Sequence, residues 1–182
     1  MRKLIRNILM ILVIVMICSG CDKKVEFNDY VSHLNDSMNS VKTITNNIKA
    51  YDSNILVYEY NNQFVFLENG NAEETKTVTS LTASFELETK TDKNTIENVE
   101  RNKLLNINLK NDLLSNLKME SDKLSFNLTQ ENIKLVFNFN DFDITGDAKC
   151  EFNFNDKKID NIKISFVTSS NKNVEVTISY QY

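Results

Sequence analysis

The chain has 182 residues, with 25 acidic and 21 basic side chains and a formal net charge of −4. That is one domain by size, and an acidic balance excludes the basic patch that a nucleic-acid binder needs. Pro and Trp are absent and there are only three Gly, so glycine-rich loops that cradle phosphates are nearly excluded. There is no GxSxG and no Cys/His spacing suited to a metal, so neither a cofactor nor a metal is expected.

The chain opens with three cations, Arg2, Lys3 and Arg6, followed by an apolar run from Ile8 to Ile17. A membrane-spanning helix needs roughly 20 apolar residues, and this run is about half that. It fits the apolar region of a secretory leader followed by small residues. An uncleaved anchor helix is the alternative and predicts the same compartment. Ser19-Gly20-Cys21 resembles the end of a bacterial lipobox, with Cys18 standing where that family usually has Leu. The resemblance implies cleavage before Cys21, lipid on its sulfur, and residence on the extracytoplasmic face of the cell membrane. Asp22 agrees with that face. On this reading residues 1–20 are a signal peptide, 21–26 a lipidated cysteine and short tether, and 27–182 a single domain. Residues 1–20 carry Arg2, Lys3 and Arg6 and no acid, so the rest has a net charge of about −7. Cys150 is then left without a partner, and no intrachain disulfide is expected.

Phe27, Tyr30, Val31, Leu34, Met38, Val41, Ile44, Ile48 and Tyr51 recur at three- and four-residue steps. That spacing predicts one amphipathic helix ending at Asp52-Ser53-Asn54. From Ile55 the period drops to 2. Ile55–Tyr60 and Gln63–Leu67 read as strands around an Asn61-Asn62 turn, with a second turn at Glu68–Asn71. Glu74–Lys90 reads as one long strand with Leu81, Ala83, Phe85 and Leu87 on a face, ending at Asp92-Lys93-Asn94. Leu104–Leu109 is a candidate strand, and Asn111 or Asp112 a candidate cap for a short helix near 111–118. Beyond residue 123 three alternating groups stand out: Leu124, Phe126 and Leu128; Ile133, Leu135, Phe137 and Phe139; and a series from Phe142 to Phe154. Strands at Ile162–Phe166 and Val174–Tyr182 follow. Turns are expected at Gln130-Glu131-Asn132, Asn155-Asp156-Lys157 and Ser169-Ser170-Asn171. The fold class is α+β: an N-terminal amphipathic helix packed on a curved, half-barrel-like antiparallel meander of about seven to nine strands, plus the short extra helix.

A flat sheet of this size with so little helix would expose a large apolar area, which soluble domains avoid. The sheet must curl, wrap the helix or enclose a cavity. In the last case Phe126, Phe137, Phe139, Phe152, Phe154 and Phe166 line a hydrophobic-ligand site. In the bland case they pack against one another. At the level of architecture alone the chain is similar to lipid and lipoprotein carriers of bacterial envelopes, a loose likeness without a shared motif.

Residues suited to chemistry are few. His33 is the sole histidine, between apolar helix positions and near Asp29 and Asp36, and is read as a solvated surface residue. Cys150 has the apolar parity of its strand and is read as a core thiol. Asp141–Asp147 resembles the start of a calcium loop, but its twelfth position is Phe152 rather than Glu, and Gly146 fits a strand bulge better. Glu73-Glu74 and Glu86/Glu88 are carboxylate pairs explained by exposed strand positions. The expectation is a non-enzymatic, membrane-anchored lipoprotein that binds a hydrophobic ligand or an envelope component. The alternative is a structural or protein-interaction surface lipoprotein with a solid core, and the weakest reading an envelope hydrolase.

Overall fold

The computed structural model describes residues 25–99, 107–137 and 144–182. Cys21, Leu104–Asn106, Phe139, Asp141, Phe142 and Asp143 lie outside the described residues.

Helix α1 spans Phe27–Ser40. The Glu26 backbone N–H donates to Asp29 Oδ2 at 2.9 Å, which satisfies a donor at the helix start. The helix stops at Val41, whose backbone is extended. Strand β1, Thr43–Asp52, follows at once. The single helix expected from 27 to 51 is therefore a helix and a strand. The spacing of Val41, Ile44 and Ile48 suits a helix, but Ile44, Ile48 and Ala50 share the period-2 parity that β1 buries. Thr43, Ile44 and Thr45 are β-branched and favour the strand.

Strand β2 runs unbroken over Ile55–Phe66. The turn expected at Asn61-Asn62 does not exist; both residues sit mid-strand, and Asn62 is opposite Asn46 of β1. The tight turn is at Ser53-Asn54, where both residues have positive φ, 48° and 71°. Strands β3, Ala72–Leu81, and β4, Leu87–Ile96, replace the one long strand expected at 74–90. Leu81 and Leu87 are cross-strand partners rather than neighbours on one strand. Asp92-Lys93-Asn94 lies inside β4, not at its end.

The helix expected near 111–118 is only a 3-10 turn at Asn111–Leu113. Strand β5, Ser115–Glu120, begins directly after it. Strand β6 covers Lys123–Leu128. The next segment, read as a strand with a turn at 130–132, is helix α2, Gln130–Phe137. Ile133, Val136 and Phe137 are buried there while Leu135 is 58% exposed, which is a helical phase and not an alternation. Strands β7, Ile144–Asn155, β8, Lys158–Thr168, and β9, Asn173–Gln181, complete the chain. Gly146 has φ 77° and lies where the β7–β8 register shifts between Thr145 and Lys149, so it marks a bulge. Asp156-Lys157 and Asn171 take the positive φ that their turns require.

These strands form one curved, unclosed sheet in the order β4-β3-β2-β1-β9-β8-β7-β6-β5, antiparallel throughout. Strands β1 and β9 pair at its centre, and β4 and β5 are its edges. Edge strand β4 carries Glu88, Lys90, Asp92 and Lys93, charges that discourage pairing with another chain. The inner face holds Ile44, Ile48, Phe126, Cys150, Phe152, Ile162, Ile164, Val176 and Ile178, all in one buried cluster. The outer face is polar, with Lys49, Lys149, Lys163, Glu59, Glu151 and Glu175 interspersed. From α1, the Tyr30 ring lies 5.4 Å from that of Phe154, and the Tyr30 hydroxyl donates to the Glu120 carbonyl.

Candidate functional site

The described phenylalanines of the expected lining are all buried. Phe126 and Phe152 have ring centroids 5.5 Å apart, and Phe137 and Phe152 6.1 Å. Phe154 meets the Tyr30 ring at 5.4 Å and, edge-on, the His33 ring at 6.1 Å, both from α1. Phe166 is 4% exposed. Rings at these separations are in contact with one another, and this half of the inner face is filled by them.

Open apolar space lies elsewhere on the same face. A pocket of about 490 Å³ is lined by Ala50, Val57, Tyr58, Leu81 and Val174, with Thr168 and Lys172 at its rim. Register places these residues together. Ala50 is opposite both Tyr58 and Val174, and Tyr58 is opposite Ser80, next to Leu81. They stand at the end of the sheet where the β1–β2, β3–β4 and β8–β9 hairpins turn. Ile55, Phe85 and Leu87, at 59%, 83% and 54% exposure, are on two of those hairpins. Phe85 is also held at φ 62°, a left-handed conformation that costs a non-glycine residue roughly 1–2 kcal/mol. Phe85 is thus a large apolar side chain that is both strained and solvated. Sequence reading missed the pocket because it split β2 at Asn61-Asn62 and fused β3 with β4. The usable clue was the parity that Tyr58 and Tyr60 share opposite Ala50 and Ile48.

The outer face carries a groove of about 880 Å³ lined by Lys118, Lys149, Glu151, Lys163 and Glu175. One of its carboxylates, Glu151, is held in an ion pair from the groove's edge. Lys123 Nζ is 2.6 Å from Glu151 Oε2, a bond that pulls the Glu151 carboxyl below its usual range and raises Lys123. The groove thus carries charges of both signs, interspersed on the outer face.

The residues weighed for chemistry fall as follows. His33 is half-buried against Phe154 rather than solvated, and Asp29 and Asp36 are exposed. Cys150 is buried, and desolvation pushes its thiol far above the ordinary range. Glu86 and Glu88 are exposed, but Glu74 is not: it is 6% exposed. Its Oε1 accepts from Asn62 Nδ2 at 2.9 Å and its Oε2 is 2.9 Å from Lys76 Nζ. Among the described residues no group of three or more His, Cys, Asp or Glu is placed to hold a metal ion.

No family model and no curated protein matches the chain. Among solved structures, a redesigned β-barrel, mFAP1, bound to DFHBI, is 12% identical over 79% of this chain and 97% of its own, with a TM-score of 0.25. A second redesigned β-barrel is 7% identical over 80% and 96%, also at 0.25. At that score neither likeness decides anything about this chain.

Proposed function

We propose that this chain is a non-enzymatic lipoprotein, anchored through lipid on Cys21 to the extracytoplasmic face of the cell membrane, that takes a hydrophobic ligand in the pocket between Ala50, Val57, Tyr58, Leu81 and Val174. The observation that carries the reading is that pocket. At about 490 Å³ it falls in the range of small-molecule sites, roughly 300–1,000 Å³, and its neighbours Ile55, Phe85 and Leu87 are exposed apolar residues. The finer architecture in this proposal is a half-barrel whose helix α1 covers the filled part of the inner face and leaves the hairpin end open.

The first turn of α1 and the pocket stand at opposite ends of the sheet. Tyr30, in the first turn of α1, bonds to Glu120 beside the β5–β6 turn, and that turn shares an end with Thr43 and Gln181 through the ladder. The pocket lies at the other end of β1, ten residues long, which is about 33 Å of strand. The five residues between Cys21 and Phe27 span at most about 18 Å. The tether therefore holds the pocket end away from the bilayer when the strands stand upright, which suits exchange with a partner beyond the membrane.

Native mass spectrometry of the full chain purified from its own host tests this. A co-purified apolar molecule is expected in the wild type and lost in Val57→Trp and Leu81→Trp, with the melting temperature unchanged. Equal retention by both variants would sink the pocket. The exposure and strain of Phe85 favour a second reading, a protein-docking end, and a co-purified protein lost on Phe85→Ser would select it.

A further inference from the structure

Beside the apolar pocket, and on the same face, lies a buried polar group for which the fold supplies no use. Asn46 and Asn62 are cross-strand partners on β1 and β2. Tyr180 is opposite Ile44 on β9, two residues from the partner of Asn46. Among the described residues, Asn46 Oδ1, Asn62 Oδ1 and the Tyr180 hydroxyl are buried without a hydrogen-bond partner. Asn62 is 8% exposed and Tyr180 4%. Buried polar atoms are nearly always paired, and three exceptions on adjoining strands need a cause.

The orientation of Asn62 follows from its own network. Its Nδ2 is committed to Glu74 Oε1 at 2.9 Å, so its Oδ1 is the free end. Directly opposite residues have Cβ atoms about 5 Å apart, and diagonal ones about 7–8 Å, within reach of a tyrosine. All three vacant atoms are oxygens that accept, the phenol included. A primary ammonium offers three N–H donors. The Glu74 carboxylate adds a buried negative charge behind Asn62, shared with Lys76.

We propose that Asn46, Asn62 and Tyr180 seat the primary ammonium head of an amphiphile whose apolar tail follows β1 and β2 to the pocket at Ala50 and Tyr58. This rests on the apolar-ligand reading and names the ligand class. Ile48 and Tyr60 are the pair between seat and pocket, and four residues of strand set the span at about 13 Å. Tyr58 and Tyr60 are half-buried along that path, so the inner face of β2 is not sealed there.

The test uses the full chain in lipid nanodiscs and two probes with a diazirine at the tail end, decylammonium and decyltrimethylammonium. They share tail and charge, and only the first donates hydrogen bonds. Decylammonium is expected to label the strand segments around Ala50, Tyr58 and Val174 at a concentration at least about tenfold lower, a difference worth about 1.4 kcal/mol. Asn46→Leu and Tyr180→Phe should erase that difference while leaving the trimethyl probe's labelling intact. Both variants should keep or raise the melting temperature, because each removes an unpartnered polar atom. Equal labelling by the two probes, the outcome expected if a water fills the seat, overturns the ammonium proposal and leaves the apolar pocket standing. Labelling of the pocket by neither overturns both. A fall of more than about 4 °C in both variants, roughly the effect of losing a net contact, shows that the oxygens already have work in the fold and overturns the seat.

Discussion

The Ser37 hydroxyl of α1 accepts a 2.9 Å hydrogen bond from the backbone N–H of Ile159 on β8. The same hydroxyl donates to the His33 carbonyl at 2.6 Å, and the Ile159 carbonyl accepts from Tyr182 at 2.8 Å. The β7–β8 register shifts between Asn153 and Phe154, the residue opposite Ile159. Side chains from a helix and from the end of the chain thus bond both backbone groups of Ile159. Ser37→Ala leaves the Ile159 N–H buried and unpaired, and should cost about 1–3 kcal/mol. Urea unfolding of the two proteins measures it; a difference near zero would show that this link carries no stability.

Phe152 is fully buried and touches the rings of Phe126 and Phe137. Phe152→Ala removes a ring that the surroundings cannot replace, and is expected to cost about 3–5 kcal/mol. Leu135→Ala, at a side chain 58% exposed on α2, should cost less than about 1 kcal/mol. Chemical denaturation of both separates a packed core from a flexible lining, in which the two costs would converge.

Cys150 is buried among apolar neighbours, and its thiol is held protonated far above the ordinary range by desolvation. A polar disulfide reagent should modify Cys150 only as fast as the domain opens, and rapidly in urea. Peptide mass mapping of Cys150 follows the reaction. Rapid modification of the native protein contradicts its burial.

The Lys123–Glu151 pair makes stability depend on pH in a defined direction. The Glu151 carboxyl is lowered from 4.5, by its bond to Lys123 first. Its contribution is therefore complete above 4.5 and disappears as the pH falls through the lower folded value. Lys123 is raised above 10.5 by the same bond, so the pair survives to alkaline pH. The difference in melting temperature between wild type and Lys123→Met should be constant from about pH 5.5 to 8 and shrink below about 4.5. A difference that grows on acidification has the wrong sign for this pair.

Phe85 holds a left-handed backbone at φ 62° with its ring in solvent. Asn adopts that conformation more readily. Phe85→Asn is expected to stabilise the domain by up to about 1 kcal/mol while weakening whatever contact the hairpin end makes. A loss of stability would mean that the ring is packed in the fold.

An antiparallel sheet with one buried face is legible in the local pattern of the chain. In period-2 runs such as Ile162-Ile164-Phe166 and Val174-Val176-Ile178 a one-residue slip would turn every apolar side chain outward, which pins their register. The turns at Gly70, Asp156-Lys157 and Asn171 were legible for a local reason, the residue types that tolerate positive φ. Tertiary structure decided what short-range pattern leaves open. Ile44 and Ile48 fit a helix as well as a strand until β2 and β9 pair on either side of them. Ile133–Phe137 fits a strand until its helical phase buries Ile133, Val136 and Phe137 together. Asn62 looks like a turn until Glu74 and Lys76 arrive beside it from β3. The apolar pocket and the polar seat both depend on such pairings between strands distant in sequence. Only the continuous ladder β3-β2-β1-β9 brings Leu81, Tyr58, Ala50 and Val174 to one place.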